Sequence, residues 1–351
     1  MPLHCESDQS GRHDDGSPFE RFRLRNSAGM QVDILDYGAT LQALRVPDRD
    51  TGEPVNLVLG FADPTQYLKP HPYFGALVGR YANRLGKGRF ELDGQTFQIV
   101  PNEGLNALHG GPRGLSFQRF EGRLFEEADR IGVSLSHRSP DGDMGFPGEL
   151  EVTVHYSLDE DNRLTINYEA QCSAPTVISL TNHAYFNLRG HGDVRDHLLE
   201  CAAGHYLVLD EASIPTGTIA SVAGTPYDFV TPATLRSREQ IPNEQFSRAG
   251  GHDVALVLDR VPSGQPRATV AEPHSGRRLE VFTDQPSLQL YTGIGLDGTL
   301  TDHEGHPIEA FGGLALEAQQ FPDAPNHDHF PSTRLDPGER YRQHTCYRLT
   351  F

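Results

Sequence analysis

Apolar residues recur at every second position through much of this chain, and the runs are cut short by turn-forming dipeptides. Val152, Val154, Tyr156 and Leu158 share one face, Asp159-Glu160-Asp161-Asn162 follows, and Leu164, Ile166, Tyr168 and Ala170 resume the alternation. A period of two places alternate side chains on one face of a strand, so this stretch predicts a hairpin. Phe90 and Leu92, the Asp93-Gly94 turn, then Phe97 and Ile99 repeat the pattern. Leu279, Val281 and Phe282, followed by Leu288, Leu290 and Tyr291, suggest a further strand pair. Asp-Gly recurs at 141–142 and 297–298, and the chain holds 36 glycines and 25 prolines. No long capped amphipathic helix is evident; Pro232 to Gln245 has room for a short one. Many short strands with frequent turns predict an all-β fold, a large antiparallel sandwich. With no Gly/Ser linker and no repeat of about 20–50 residues, 18–351 reads as one domain. Residues 1–17 lack apolar periodicity and are expected to form a flexible tail.

At 351 residues the chain can bury a sizeable core. Its net charge of −18 argues against nucleic acid and anionic membrane as partners, because both are held by clusters of Lys and Arg. A phosphorylated ligand is disfavoured for the same reason, and a neutral one is compatible. Cys5, Cys172, Cys201 and Cys346 are scattered without a CxxC pair, which predicts free thiols rather than a disulfide framework or zinc site. The first 18 residues contain no apolar leader segment, and no run of about 18 apolar residues occurs. A cytoplasmic protein is the expectation.

Three segments carry groups suited to moving protons near neutral pH. His109 stands in Asn106-Ala107-Leu108-His109-Gly110-Gly111, where glycines allow a sharp turn and a close ligand approach. His183 stands in Thr181-Asn182-His183-Ala184-Tyr185-Phe186-Asn187. On a strand it shares a face with Tyr185 while Phe186 points away, and a polar-aromatic face suits a sugar. Glu317 ends the apolar run Gly312-Gly313-Leu314-Ala315-Leu316, on the face of Ala315 and Gln319. A carboxyl desolvated there would gain basicity. Imidazole and a partly desolvated carboxylate are a minimal acid–base kit. Asn83-Arg84 offers many donors to hydroxyls, and Asp253, read as a loop carboxylate, could accept from two. Each residue also has a plainer reading: a turn or interior histidine, a solvated glutamate, a salt-bridged arginine, a turn aspartate. His327-Asp328-His329 and the pair His303/His306 suggest a metal, but no third ligand with a sensible location accompanies them.

Taken in order, these segments resemble the aldose 1-epimerase (galactose mutarotase) family. The resemblance runs nearly from Phe19 to Phe351. It includes 36–40 (Asp-Tyr-Gly-Ala-Thr), 79–84 (Gly-Arg-Tyr-Ala-Asn-Arg), 108–111, 141–148, 182–188, 214–217, 289–293 and 316–319. It implies a β-supersandwich, no metal and no organic cofactor. It implies that Glu317 is the base and His183 the acid, with His109 a second imidazole beside them. Asn83, Arg84, Asp253 and Gln289 would bind the hydroxyls of a free aldohexose such as glucose or galactose, with Tyr185 close by. The chain departs from the family at Val254-Ala255, at Ala318, at Gly293-Ile294-Gly295, and in having no tryptophan. None of these removes a proton-transfer residue. The competing expectations are a hexose-6-phosphate 1-epimerase, which needs a cationic phosphate pocket, a non-catalytic carbohydrate-binding sandwich, and a metal-dependent β-barrel enzyme. Monomer and homodimer are both compatible with the sequence.

Overall fold

Strand alternation decides the architecture. The hairpin strands Leu150–Asp159 and Arg163–Cys172 pair Val152 with Ala170, Val154 with Tyr168 and Tyr156 with Ile166. The turn between them closes through Asp159, whose side chain accepts from the backbone N–H groups of Asp161 and Arg163. The computed structural model describes residues 3–351. Among them the strands form antiparallel sheets of nine, six and five strands, with four two-stranded ladders. In the nine-stranded sheet this hairpin pairs through Arg163–Cys172 with the C-terminal strand Tyr341–Thr350.

The six-stranded sheet places the site. Its order is Tyr185–Phe186, Leu314–Gln319, Ser287–Tyr291, Asp253–Val257, His205–Leu209, Pro215–Ser221. One face buries Val254, Leu256, Leu288, Leu290, Leu314 and Leu316 in the main core, together with Val152, Val154, Leu164 and Ile166 of the nine-stranded sheet. Burial of such side chains stabilises by roughly 1.5–3 kcal/mol each. A one-residue slip would turn every one of them to the opposite face, so the core fixes the register. Asp253, Gln289, Tyr291, Ala315 and Glu317 therefore point the other way.

Two expectations are corrected. Residues 4–12 are not a flexible tail: His4–Arg12 is an edge strand paired with Pro18–Arg25. It lacks apolar periodicity because neither face is fully covered; the backbone ladder and the ion pairs of Asp8 with Arg21 and Arg23 hold it. His13 follows, buried and stacked on Phe19 at 3.8 Å. The expected tail's first two residues lie outside those described. Arg278–Thr283 and Ser287–Tyr291 are both strands but not partners, since the chain crosses from the nine-stranded to the six-stranded sheet between them. Pro232 to Gln245 reaches two short helices, Leu235–Arg238 and Glu244–Ala249, capped by Thr234 and Asn243. All four cysteines are free. No helix among the described residues is long and apolar enough to cross a membrane.

Candidate active site

A cavity of about 230 Å³ opens over the face of the six-stranded sheet turned away from the core. Glu317, His183, His109, Asn83, Arg84, Tyr185, Asp253 and Gln289 all line it. The ladder sets part of this: Gln289 lies opposite Glu317, Asp253 opposite Tyr291, and Tyr185 opposite Ala315. Asp253 is thus the first residue of a strand, not part of a loop. Glu317 lies inside its strand rather than at the end, since Leu314–Gln319 is buried along its whole length.

The second wall is a two-stranded ladder in which Leu108 pairs with Arg84. It brings His109 against Asn83, both with positive φ (54° and 64°). Non-glycine residues held in that region carry a strain that surrounding structure must impose, and such positions gather at functional sites. Here the His109 N–H donates to the Asn83 carbonyl at 3.0 Å, and the Asn83 N–H donates to His109 Nδ1 at 3.1 Å. An Nδ1 that accepts leaves the ring hydrogen of neutral imidazole on Nε2. Burial keeps His109 neutral by pulling its pKa well down, with His183 and Arg84 adding to this. His109 therefore presents an N–H donor.

His183 Nε2 lies 3.6 Å from Glu317 Oε1. The rings of Tyr185 and Tyr73 stack along the imidazole at 4.8 and 5.9 Å, and His109 meets it edge-on at 5.2 Å. Desolvation lowers the His183 pKa to about 4 and raises that of Glu317 to about 8; Asp253 pushes Glu317 further up and Arg84 draws it back. Glu317 Oε2 and His183 Nδ1 are buried without hydrogen-bond partners. Orphaned polar atoms in a native interior call for an explanation, and a polar ligand in the cavity supplies one for the carboxyl.

Gln289 donates to Asp253 Oδ1 at 2.5 Å. Arg84 donates from Nε and Nη2 to Glu103 at 2.6 and 2.8 Å, and its Nη1 stands 3.7 Å from Asp253. Arg80, the other arginine near these motifs, faces away: its guanidinium is spent on Ser139 and the carbonyls of Pro140, Pro147 and Gly148. A cationic phosphate pocket is thereby missing from the lining.

Sequence reasoning missed Tyr73, Glu103 and Tyr291 as lining residues. Tyr291 could have been found from its spacing of two from Gln289. Tyr73 sits in a proline-rich loop and Glu103 in a turn, where no periodicity marks them. A larger groove of about 770 Å³ adjoins through Arg84 and Glu103 but contains neither imidazole nor Glu317, so we place the chemistry in the smaller cavity.

The donor atoms of His109, His183 and Glu317 lie within 4.8 Å of one another, close enough to consider a cation. The tautomer of His109 opposes it: Nδ1 is engaged by a backbone N–H, so Nε2 carries the hydrogen and has no lone pair for a metal. His327 and His329 do not form a site either. His329 meets the Gly217 carbonyl at 2.8 Å, while His327 stands by Asp323, its ring 6.0 Å from that of His329.

An all-β fold with a buried imidazole–carboxyl pair in a small cavity rimmed by polar side chains is the architecture of an enzyme for a small polar molecule. The family profile described as aldose 1-epimerase matches residues 20–348. The chain is 44% identical to galactose mutarotase of Sus scrofa over 330 residues, 93% of each protein. It is 40% identical to aldose 1-epimerase of Escherichia coli K12, covering 95% of this chain and 96% of that protein. The crystal structure of a galactose 1-epimerase from Lactobacillus acidophilus NCFM superposes with a TM-score of 0.88 at 29% identity, over 99% of both chains. The chain belongs to the aldose 1-epimerase family.

Proposed function

We infer that this chain interconverts the α and β anomers of free aldohexoses, with Glu317 as base and His183 as acid. The observation that carries this is the 3.6 Å approach of a buried carboxyl and a buried imidazole in one small cavity, each with an unpartnered polar atom. Four unpaired cysteines fit a cytoplasmic setting.

Ring opening removes a proton from the C1 hydroxyl and delivers one to the ring oxygen. Glu317 takes the first and His183 gives the second. The aldehyde forms, the C1–C2 bond rotates, and closure on the other face runs both transfers in reverse. Atoms and charge balance within the pair, which holds one proton throughout. After opening, the proton rests on Glu317 and His183 is neutral. The pKa values of about 8 and about 4 favour that same distribution in the empty site. The cyclic sugar is therefore the form whose binding must return the proton to His183. His109 Nε2–H, Asn83, Arg84, Gln289 and Asp253 supply the donors and acceptors that orient the hydroxyls.

Polarimetry on freshly dissolved α-D-glucose or α-D-galactose tests the activity. The decay to equilibrium should accelerate with wild-type protein. Glu317→Gln and His183→Asn should each lower kcat at least about a hundredfold while circular dichroism stays unchanged. Near-wild-type turnover in either variant removes that residue from its role, and an unaccelerated decay with wild type removes the activity.

A further inference from the structure

The cavity lining contains one arginine and three carboxyl groups, those of Glu103, Asp253 and Glu317. An arginine at a ligand site is ordinarily an anion clamp, because its guanidinium presents paired N–H donors to carboxylate or phosphate. Here that use is blocked from within the protein. Glu103 takes both Nε and Nη2 in a two-point ion pair at 2.6 and 2.8 Å. The carboxylate of Asp253 stands 3.7 Å off Nη1, against the remaining edge. The arginine is left able to donate to a hydroxyl but has no free edge for a second anion.

We propose that Glu103 is a specificity-determining residue: by occupying the arginine edge on which an anion would dock, it excludes sugars bearing a carboxylate or phosphate. The proposal rests on the anomer-interconverting activity proposed above and names the substrate class within it, neutral aldoses. Asp253 shares in the exclusion but is also spoken for as a hydroxyl acceptor beside Gln289. Glu103 has no contact of its own with the acid–base pair. It lies where the cavity meets the larger groove. A like charge set against these carboxylates in a confined site is repelled.

The test compares D-galacturonate with D-galactose as paired substrates that differ at C6 only, in wild type, Glu103→Gln and Glu103→Asp. Wild type should turn over galactose and discriminate strongly against galacturonate. Glu103→Gln removes the charge while keeping the shape. It should raise the ratio of kcat/KM for galacturonate over galactose at least about tenfold, whatever happens to galactose alone. Glu103→Asp keeps the charge and should restore discrimination. Equal losses on both sugars in Glu103→Gln would mean that Glu103 only steadies Arg84, and would overturn the proposal. So would wild-type turnover of galacturonate at the rate of galactose. A wild-type protein inactive on galactose would instead strike the proposed function itself.

Discussion

Glu317 and His183 divide a single proton between two groups whose surroundings push their affinities in unusual directions. Burial raises the carboxyl to about 8 and lowers the imidazole to about 4. Between these values the pair keeps one proton, which is the number that ring opening needs. Above the upper value the carboxyl deprotonates beside a neutral imidazole, and nothing remains to protonate the ring oxygen. Below the lower value the imidazole is charged as well, and no base remains. The kcat/KM for galactose should therefore be flat across the neutral range and fall on both sides, with limbs near 4 and 8. A rate that already declines from pH 7 toward pH 6 would show an ordinary histidine titrating, and would contradict the burial argument. The identities of these groups were legible in the sequence because each stood in an unusual setting: an imidazole beside an aromatic face, a carboxylate in an apolar run. Their protonation was not, because it depends on burial by segments distant in the chain, with Tyr73 stacked against His183 and Asp253 set beside Glu317.

Strand periodicity carried the sheet face correctly and carried nothing about the loops. Alternation in Leu314–Gln319 separates Leu316 from Glu317, and alternation in Ser287–Tyr291 separates Leu290 from Gln289. Which strands pair was legible for tight hairpins such as Leu150–Asp159 with Arg163–Cys172 but not where the chain changes sheet, as between Arg278–Thr283 and Ser287–Tyr291, because that pairing depends on tertiary contacts rather than local pattern. The edge strand His4–Arg12 was invisible for the opposite reason: it has too little buried face to impose a pattern. The turn bearing His109 is held by sterics instead. Gly110 has φ 85°, and a Cβ there would come within 2.0 Å of the Gly79 carbonyl oxygen. Gly142 has a similar φ of 79° with nothing within 4 Å, so it isolates backbone strain from collision. Gly110→Ala should displace His109 and lower kcat/KM by about a hundredfold, since small misplacements of a positioning group are that costly. Gly142→Ala should lose stability by roughly 1 kcal/mol and keep its turnover. Equal kinetic effects in the two variants would show that the close approach to Gly79 does not hold His109 in place.

At the scale of the whole molecule, a net charge of −18 sets a field around the protein that the proposed substrate cannot feel. A neutral aldose is neither drawn in nor repelled, and it meets a cavity whose lone arginine is already paired with Glu103. Salt at 0.15 M shrinks the Debye length to about 8 Å and would remove steering if there were any. The kcat/KM for galactose should change less than about twofold between 10 mM and 150 mM ionic strength, because long-range attraction is the component that salt removes. The short pairs that shape the cavity should persist, since Arg84 is 14% exposed and its contacts with Glu103 are direct. A steep slope in either direction would show that salt reaches the ion pairs of the cavity and would contradict the insulation that their burial implies, whereas a flat one agrees with a site that recognises hydroxyls through short, oriented hydrogen bonds.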